Sequence, residues 1–166
     1  AYPDIAFDGA RYAVTWFDAR DGNSEVYLRC GRLDPTGALP ADLQLDDGQA
    51  LRVTRTPAGS TGAYVAWQDR RIVLAWIEGE GVHSALWLQR FDADCRPAEG
   101  ARRVHGRGTQ AGIPSLATSA AGLLLAWNGQ REDPVASAQV PGRSPSSIVL
   151  MKVSPTRPVS PSAAAR

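Results

Sequence analysis

Asp18, Asp21, Asn23 and Glu25 place four oxygen-bearing side chains within eight residues. A calcium ion takes about six to eight oxygen ligands, and a loop of this kind can supply several of them. The segment lacks the full spacing of an EF-hand loop and its pattern of a glycine followed by a distal glutamate. It therefore reads first as a polar hairpin in which Asp18 and Arg20 pair to fix the turn, and only second as a metal site. Other carboxylates are scattered: Asp4, Asp8, Asp46, Asp47, Glu78 and Glu80. Glycoside hydrolysis needs two carboxyl groups at a set separation, and nothing in the spacing of these six sets one, so solvated turn carboxylates are expected. The chain has no Ser/His/Asp signature, phosphate-binding glycine loop or zinc-type ligand cluster. His83 and His105 stand outside any motif and read as exposed loop residues. The expectation is a chain that is not an enzyme and needs no cofactor.

Aromatic side chains are the other candidates, since a sugar ring or a protein partner can stack on them. Trp16, Trp76 and Trp127 each end an apolar run: Tyr12-Ala-Val-Thr-Trp16, Ile72-Val-Leu-Ala-Trp76 and Leu123-Leu-Leu-Ala-Trp127. Equivalent positions in a repeated pattern point to core. Trp67 aligns with Phe7, and Trp87 aligns with Tyr27. Tyr27, Trp67 and Trp87 are thus the aromatic contact candidates. Arg131 and Arg143 join them because they lie in Gly129 to Ser147, a long insertion carrying Pro134, Pro141 and Pro145. Long loops of this type tend to carry contacts.

The elements that position these residues come from the repeat. Residues 5–29 align without a gap on 65–89, and residues 3–16 on 114–127. A diverged internal repeat governs the fold. The repeats run over about 1–60, 61–110 and 111–154, and a Pro/Ser/Ala-rich tail over 155–166 reads as a linker or an extended arm. In each repeat, short strands are broken by Gly, Pro, Asn and Asp, with no helical period, which predicts an all-β protein. Repeat one gives strands over Pro3 to Phe7, Arg11 to Phe17 and Glu25 to Leu33, with a weak fourth near Leu43 to Leu45 or Leu51 to Thr54. Cys30 and Gly31 are extra relative to the other repeats and predict a β-bulge. On the second strands, both faces are apolar or small: Tyr12/Val14/Trp16 against Ala13/Thr15/Phe17, Ile72/Leu74/Trp76 against Val73/Ala75/Ile77, and Leu123/Leu125/Trp127 against Leu124/Ala126. These strands are expected to be covered on both sides. Such an environment belongs to propeller blades packed on neighbours, and a β-trefoil is the alternative.

Ala13 to Tyr27 also resembles a known family. Trp16, Asp18, Arg20, Gly22, Glu25, Val26 and Tyr27 match the Trp-x-Asp-x-Arg-x-Gly blade repeat of secreted bacterial β-propellers, sialidase-like in the broad sense. Repeat two keeps Trp76 and replaces the aspartate by Glu78; repeat three keeps Trp127. The sialidase Asp-box and the Arg-Ile-Pro element are absent, so the resemblance implies blade architecture and export, to the periplasm, cell surface or medium, without the catalytic motifs.

Composition closes off several classes. The 166 residues are 43% hydrophobic, enough for a core, and carry a formal charge of only +1. No nucleic-acid partner is expected from so weak a field. No apolar run approaches the roughly 18 residues that span a bilayer. All but one of the 18 basic residues are arginine, which together with the alanine content fits GC-rich bacterial coding. Cys30 and Cys95 are too few for a zinc framework; a disulfide in an exported chain and two free thiols remain equally open. Three repeats are fewer than the four to eight blades, roughly, that close a propeller, and the chain does not begin with methionine. Something outside it is expected to cover the ends: a second copy, further polypeptide, or another protein. The functional expectation is a non-catalytic binding or scaffold module that associates with itself or a larger assembly, with lectin-like carbohydrate recognition as the alternative and a glycoside hydrolase third.

Overall fold

A computed structural model describes residues 2–34, 36–38, 49–104, 111–119, 121–130 and 146–153. Among these residues there is no α-helix, only a 3-10 turn at Gly81–His83. Eleven strands form three separate antiparallel sheets. Sheet one contains β1 (Asp4–Phe7), β2 (Arg11–Asp18), β3 (Glu25–Arg32) and β4 (Leu51–Arg52), in that spatial order. Sheet two repeats the order with β5 (Ser60–Gln68), β6 (Arg71–Glu78), β7 (Ala85–Phe91) and β8 (Arg102–Arg103). Sheet three has β9 (Ala111–Ser119), β10 (Gly122–Gln130) and β11 (Ser146–Val153), with β10 central. All eight ladders run between strands of the same sheet. Such meanders are the units of a propeller; the trefoil alternative, with strands paired across repeats, is not what these ladders form.

Sheet two lies between the other two. Its Ile72, Leu74 and Trp76 pack against Ala13, Val26 and Leu28 of sheet one. Its opposite face, Val73, Ala75, Ile77, Leu86 and Leu88, packs against Leu123, Leu125, Trp127 and Val153 of sheet three. A consistent sidedness follows from the period of two along each strand. The tryptophan face of each later sheet meets the opposite face of the sheet before it. Polar links register the junctions: Val65 N–H donates to Asp4 Oδ2 (2.9 Å), Ser60 N–H to the Ser24 carbonyl (2.7 Å), and Ala111 N–H to Ser84 Oγ (3.0 Å). Cys30 and Cys95 are disulfide-bonded with their Cα atoms 5.7 Å apart, which fastens β3 to the turn after β7.

Two expectations change. No bulge interrupts β3 at Cys30 and Gly31: the ladder is continuous from Arg11↔Arg32 through Tyr12↔Gly31 to Asp18↔Glu25. The glycine is there because the Tyr12 ring lies across it, and any Cβ would overlap that ring. The register shifts occur instead at Thr61/Tyr64, where Gly62 has φ +57°, and at Trp127/Gly129. The second correction concerns β10. β2 and β6 are covered on both faces, but Leu124 on β10 is 40% exposed, because among the described residues no sheet packs on that side. The weak fourth strand of repeat one is Leu51–Arg52; the other candidate, near Leu43 to Leu45, lies outside the described residues, as do Arg131, Arg143, Asp46, Asp47, His105 and the tail.

Candidate functional site

The acidic hairpin of sheet one is built from the cross-strand pair Trp16↔Tyr27, whose rings stack with centroids 5.9 Å apart. The Arg20 guanidinium lies over Tyr27, 4.8 Å from its centroid, and also over Trp16. Arg20 donates from Nε to Asp18 at 2.9 Å, and Asp18 accepts the Trp16 indole N–H at 3.0 Å. The expected Asp18–Arg20 pairing is thus part of a larger stack. The Arg20 hydrogen bonds hold the Asp18 carboxyl below its usual range. Tyr27 donates its hydroxyl to Asp21, and Arg52 reaches Asp21 at 3.2 Å. Burial, then this hydrogen bond, pushes the Tyr27 phenol up to about 12.

Glu25 is 1% exposed. A buried carboxylate is costly unless paired and hydrogen-bonded, and this one is: it accepts from Arg52 (3.1 Å), the Thr56 N–H (3.1 Å) and the Thr54 hydroxyl. Thr54 in turn accepts the Val26 N–H. Asn23 donates to the Thr56 carbonyl. The four oxygen-bearing residues therefore face four different tasks. No group of three or more His, Cys, Asp or Glu among the described residues is placed to hold a metal ion, and Asp18, Asp21, Asn23 and Glu25 do not converge. Glu78 is the nearest carboxylate on sheet two; burial, with the Glu25 charge adding to it, raises its pKa, and the Thr56 hydroxyl faces it at 3.5 Å. Asp8 and Asp92 accept backbone N–H groups within their own turns, while Glu80 is exposed.

The aromatic candidates are placed inside the stack. Tyr27 is 3% exposed and faces away from sheet two. Trp87 stacks on Trp76 (6.5 Å between centroids), and both Trp87 and Trp67 pack half-buried into the core between sheets one and two. The reading of Trp16, Trp76 and Trp127 as buried agrees with the structure. Two further features bear on function. One is a cleft of about 360 Å³ lined by Tyr2, Asp4, Phe17, Tyr64 and Ile113, at the N-terminal ends of β1 and β5. The other is the outward face of sheet three, where Leu124, Ile148 and Leu150 are 40%, 77% and 66% exposed. Cross-strand pairing of Leu124 with Ala117 and of Ala126 with both Ser115 and Leu150 puts these side chains on one side.

No protein-family model matches the chain, and no curated protein matches it. Among solved structures it is similar to a subtype N10 neuraminidase-like protein of A/little yellow-shouldered bat/Guatemala/060/2010, at 12% identity and a TM-score of 0.54. The match covers 90% of this chain and 43% of that one. The likeness supports a β-propeller-type arrangement of the three antiparallel sheets. At this identity the likeness is one of architecture, and the chain spans less than half the length of that neighbour. No helix among the described residues is long and apolar enough to cross a membrane.

Proposed function

We propose that the chain is a non-catalytic, β-propeller-type association module whose working surface is the outward face of sheet three. One observation carries this reading. Ile148 and Leu150 occupy the positions of Val26 and Leu28 in sheet one and of Leu86 and Leu88 in sheet two, by the pairings Phe17↔Val26, Thr15↔Leu28, Ile77↔Leu86, Ala75↔Leu88, Asn128↔Ile148 and Ala126↔Leu150. The four in sheets one and two are fully buried by the next sheet, whereas the two in sheet three face solvent. A cluster of exposed apolar side chains on one sheet face marks an interaction site. The disulfide supports an oxidising compartment, outside the cytosol, as the place of action. The test is an environment-sensitive apolar dye, with and without Ile148→Asp/Leu150→Asp. Dye binding lost in the variant supports the reading; a signal unchanged by the variant, with no effect on association, defeats it.

A second reading is carbohydrate binding, favoured by the cleft. Its aromatic walls, Tyr2, Phe17 and Tyr64, stand beside the Asp4 carboxylate, a combination suited to the apolar face and hydroxyls of a sugar ring. A glycan array with Tyr64→Ala as control checks it: specific binding lost in the variant supports it, and no binding removes it.

A further inference from the structure

We infer that the cleft at the N-terminal ends of β1 and β5 binds a methylated ammonium group, a cation that stacks on aromatic rings and needs no hydrogen-bond acceptor. This goes beyond the sugar reading of the same cleft, which asks for hydroxyls and no charge. The molecule holds its own template for such a site. In the hairpin of sheet one, the Arg20 guanidinium lies over Tyr27 and Trp16 and is anchored by the Asp18 carboxylate. The cleft has the same parts without the cation. Tyr2 and Phe17 form one wall, their ring centroids 5.8 Å apart, and Tyr64 on β5 lines it from sheet two. The register shift between Thr61 and Tyr64 falls in that second wall, and irregularities of this kind re-aim side chains. The negative faces of aromatic rings attract a cation within about 6 Å of the centroid.

Asp4 supplies the charge. It pairs with Thr15, so the period of two along the strands puts it on the same side of sheet one as Phe17. Its Oδ2 accepts the Val65 N–H at 2.9 Å, which fixes the carboxylate at the junction of sheets one and two. Among the described residues it has no basic partner, whereas Asp18, Asp21, Glu25 and Glu99 each pair with an arginine. No lysine or arginine is among the described residues that line the cleft, so its lining carries negative charge. The choice of a methylated over a primary ammonium follows from the rest of the lining. Pro3 and Ile113 present side chains that accept no hydrogen bond. A primary ammonium brings three donors, and each one left unmatched is costly. Methyl groups bring none and suit the apolar and aromatic surfaces. At about 360 Å³ the cleft is at the small end of ligand pockets, with room for one head group.

Isothermal titration of the full chain with choline tests this, beside two probes of similar shape. One is the neutral alcohol in which carbon replaces the choline nitrogen, and the other is ethanolamine, the primary-ammonium analogue. The expected result is saturable choline binding that weakens with added salt, with the neutral analogue about tenfold weaker or more and ethanolamine weaker as well. Asp4→Asn keeps an acceptor for the Val65 N–H; it is expected to weaken choline binding about tenfold or more with an unchanged near-ultraviolet circular dichroism spectrum. Tyr64→Leu keeps an apolar wall and removes the ring, and is expected to weaken binding about two- to fivefold. Choline binding that the neutral analogue or ethanolamine matches, or that Asp4→Asn leaves unchanged, overturns the cation site. An absence of choline binding overturns it too, and the sugar reading then stands or falls separately on the glycan array.

Discussion

Sheets one and three are the two ends of one stack, and they end it differently. On the outward side of sheet one, a polar layer finishes the hairpin end of the aromatic face, while Ile5 and Phe7 on β1, on the same side as Val14 and Tyr12, are 64% and 52% exposed. Asp18, Arg20, Asp21, Glu25 and Arg52 ring the Trp16–Tyr27 pair, and the aromatics beneath are buried. On the outward side of sheet three, leucine and isoleucine meet solvent directly. Repeat arrays need terminal units with a polar outer surface to stay soluble. Sheet one meets that need at its hairpin end, and sheet three does not meet it among the described residues. The position of Glu25 shows the divergence: its counterparts by pairing are Ala85 in sheet two and Ser147 in sheet three.

The sharpest way to break this contrast is to remove the polar finish. Glu25→Ala leaves Arg52, Thr54 and the Thr56 N–H without their common acceptor. Truncating one member of a buried, hydrogen-bonded ion pair costs about 3–5 kcal/mol. Denaturant unfolding of the variant should show a loss of this size. A loss no larger than that of an exposed substitution would mean the network does not hold the face closed.

The apolar positions sharpen the same contrast. Leu28→Ala and Leu88→Ala remove fully buried side chains and should each cost about 2–5 kcal/mol. Leu150→Ala, at the equivalent position, should stay within about 0.5 kcal/mol when unfolding is followed at dilutions where the chain is monomeric. Equal costs at the three positions would show that sheet three is covered within the single chain, and the comparison would collapse.

Much of the stack was legible in the residues, and the reasons can be named. Runs ending in Trp16, Trp76 and Trp127, with apolar residues on both faces, marked central strands because few environments bury both sides of a strand. At Leu124 and Ala126 the same signal records that a face is to be covered, not that the covering sheet lies in this chain. Gly31 suggested a bulge because an extra glycine in a strand often makes one; the actual cause, the Tyr12 ring crossing it, is a cross-strand contact that spacing does not reveal. Cys30 and Cys95 could not be paired from spacing alone. The acidic hairpin was found, but its partners Arg52, Thr54 and Thr56 lie about 30 residues away in the chain and were invisible to a local reading. The cleft at Tyr2, Phe17 and Tyr64 draws on three separate strand ends and carried no sequence signal.

The smallest expected effects come from titrating the two ends of the Trp16–Tyr27 stack, where the signs are opposite. The Tyr27 phenol rises from 10.0 to about 12 through burial and its bond to Asp21. A raised pKa means the folded chain holds the proton more tightly than the unfolded chain. The stabilisation is therefore complete below pH 10 and is lost as pH climbs through about 12. Asp18 is lowered from 3.8 by Arg20. Its contribution is present above that value and is lost as pH falls through the folded-state pKa. Tyr27→Phe should remove the alkaline decline and the last phenolate to appear in an absorbance titration, while leaving the acid limb in place. Asp18→Asn should do the reverse. Neither change touches sheet three, so both variants should bind its partner as the parent chain does; a change in association in either one would mean that the closed end of the stack also takes part in the contact.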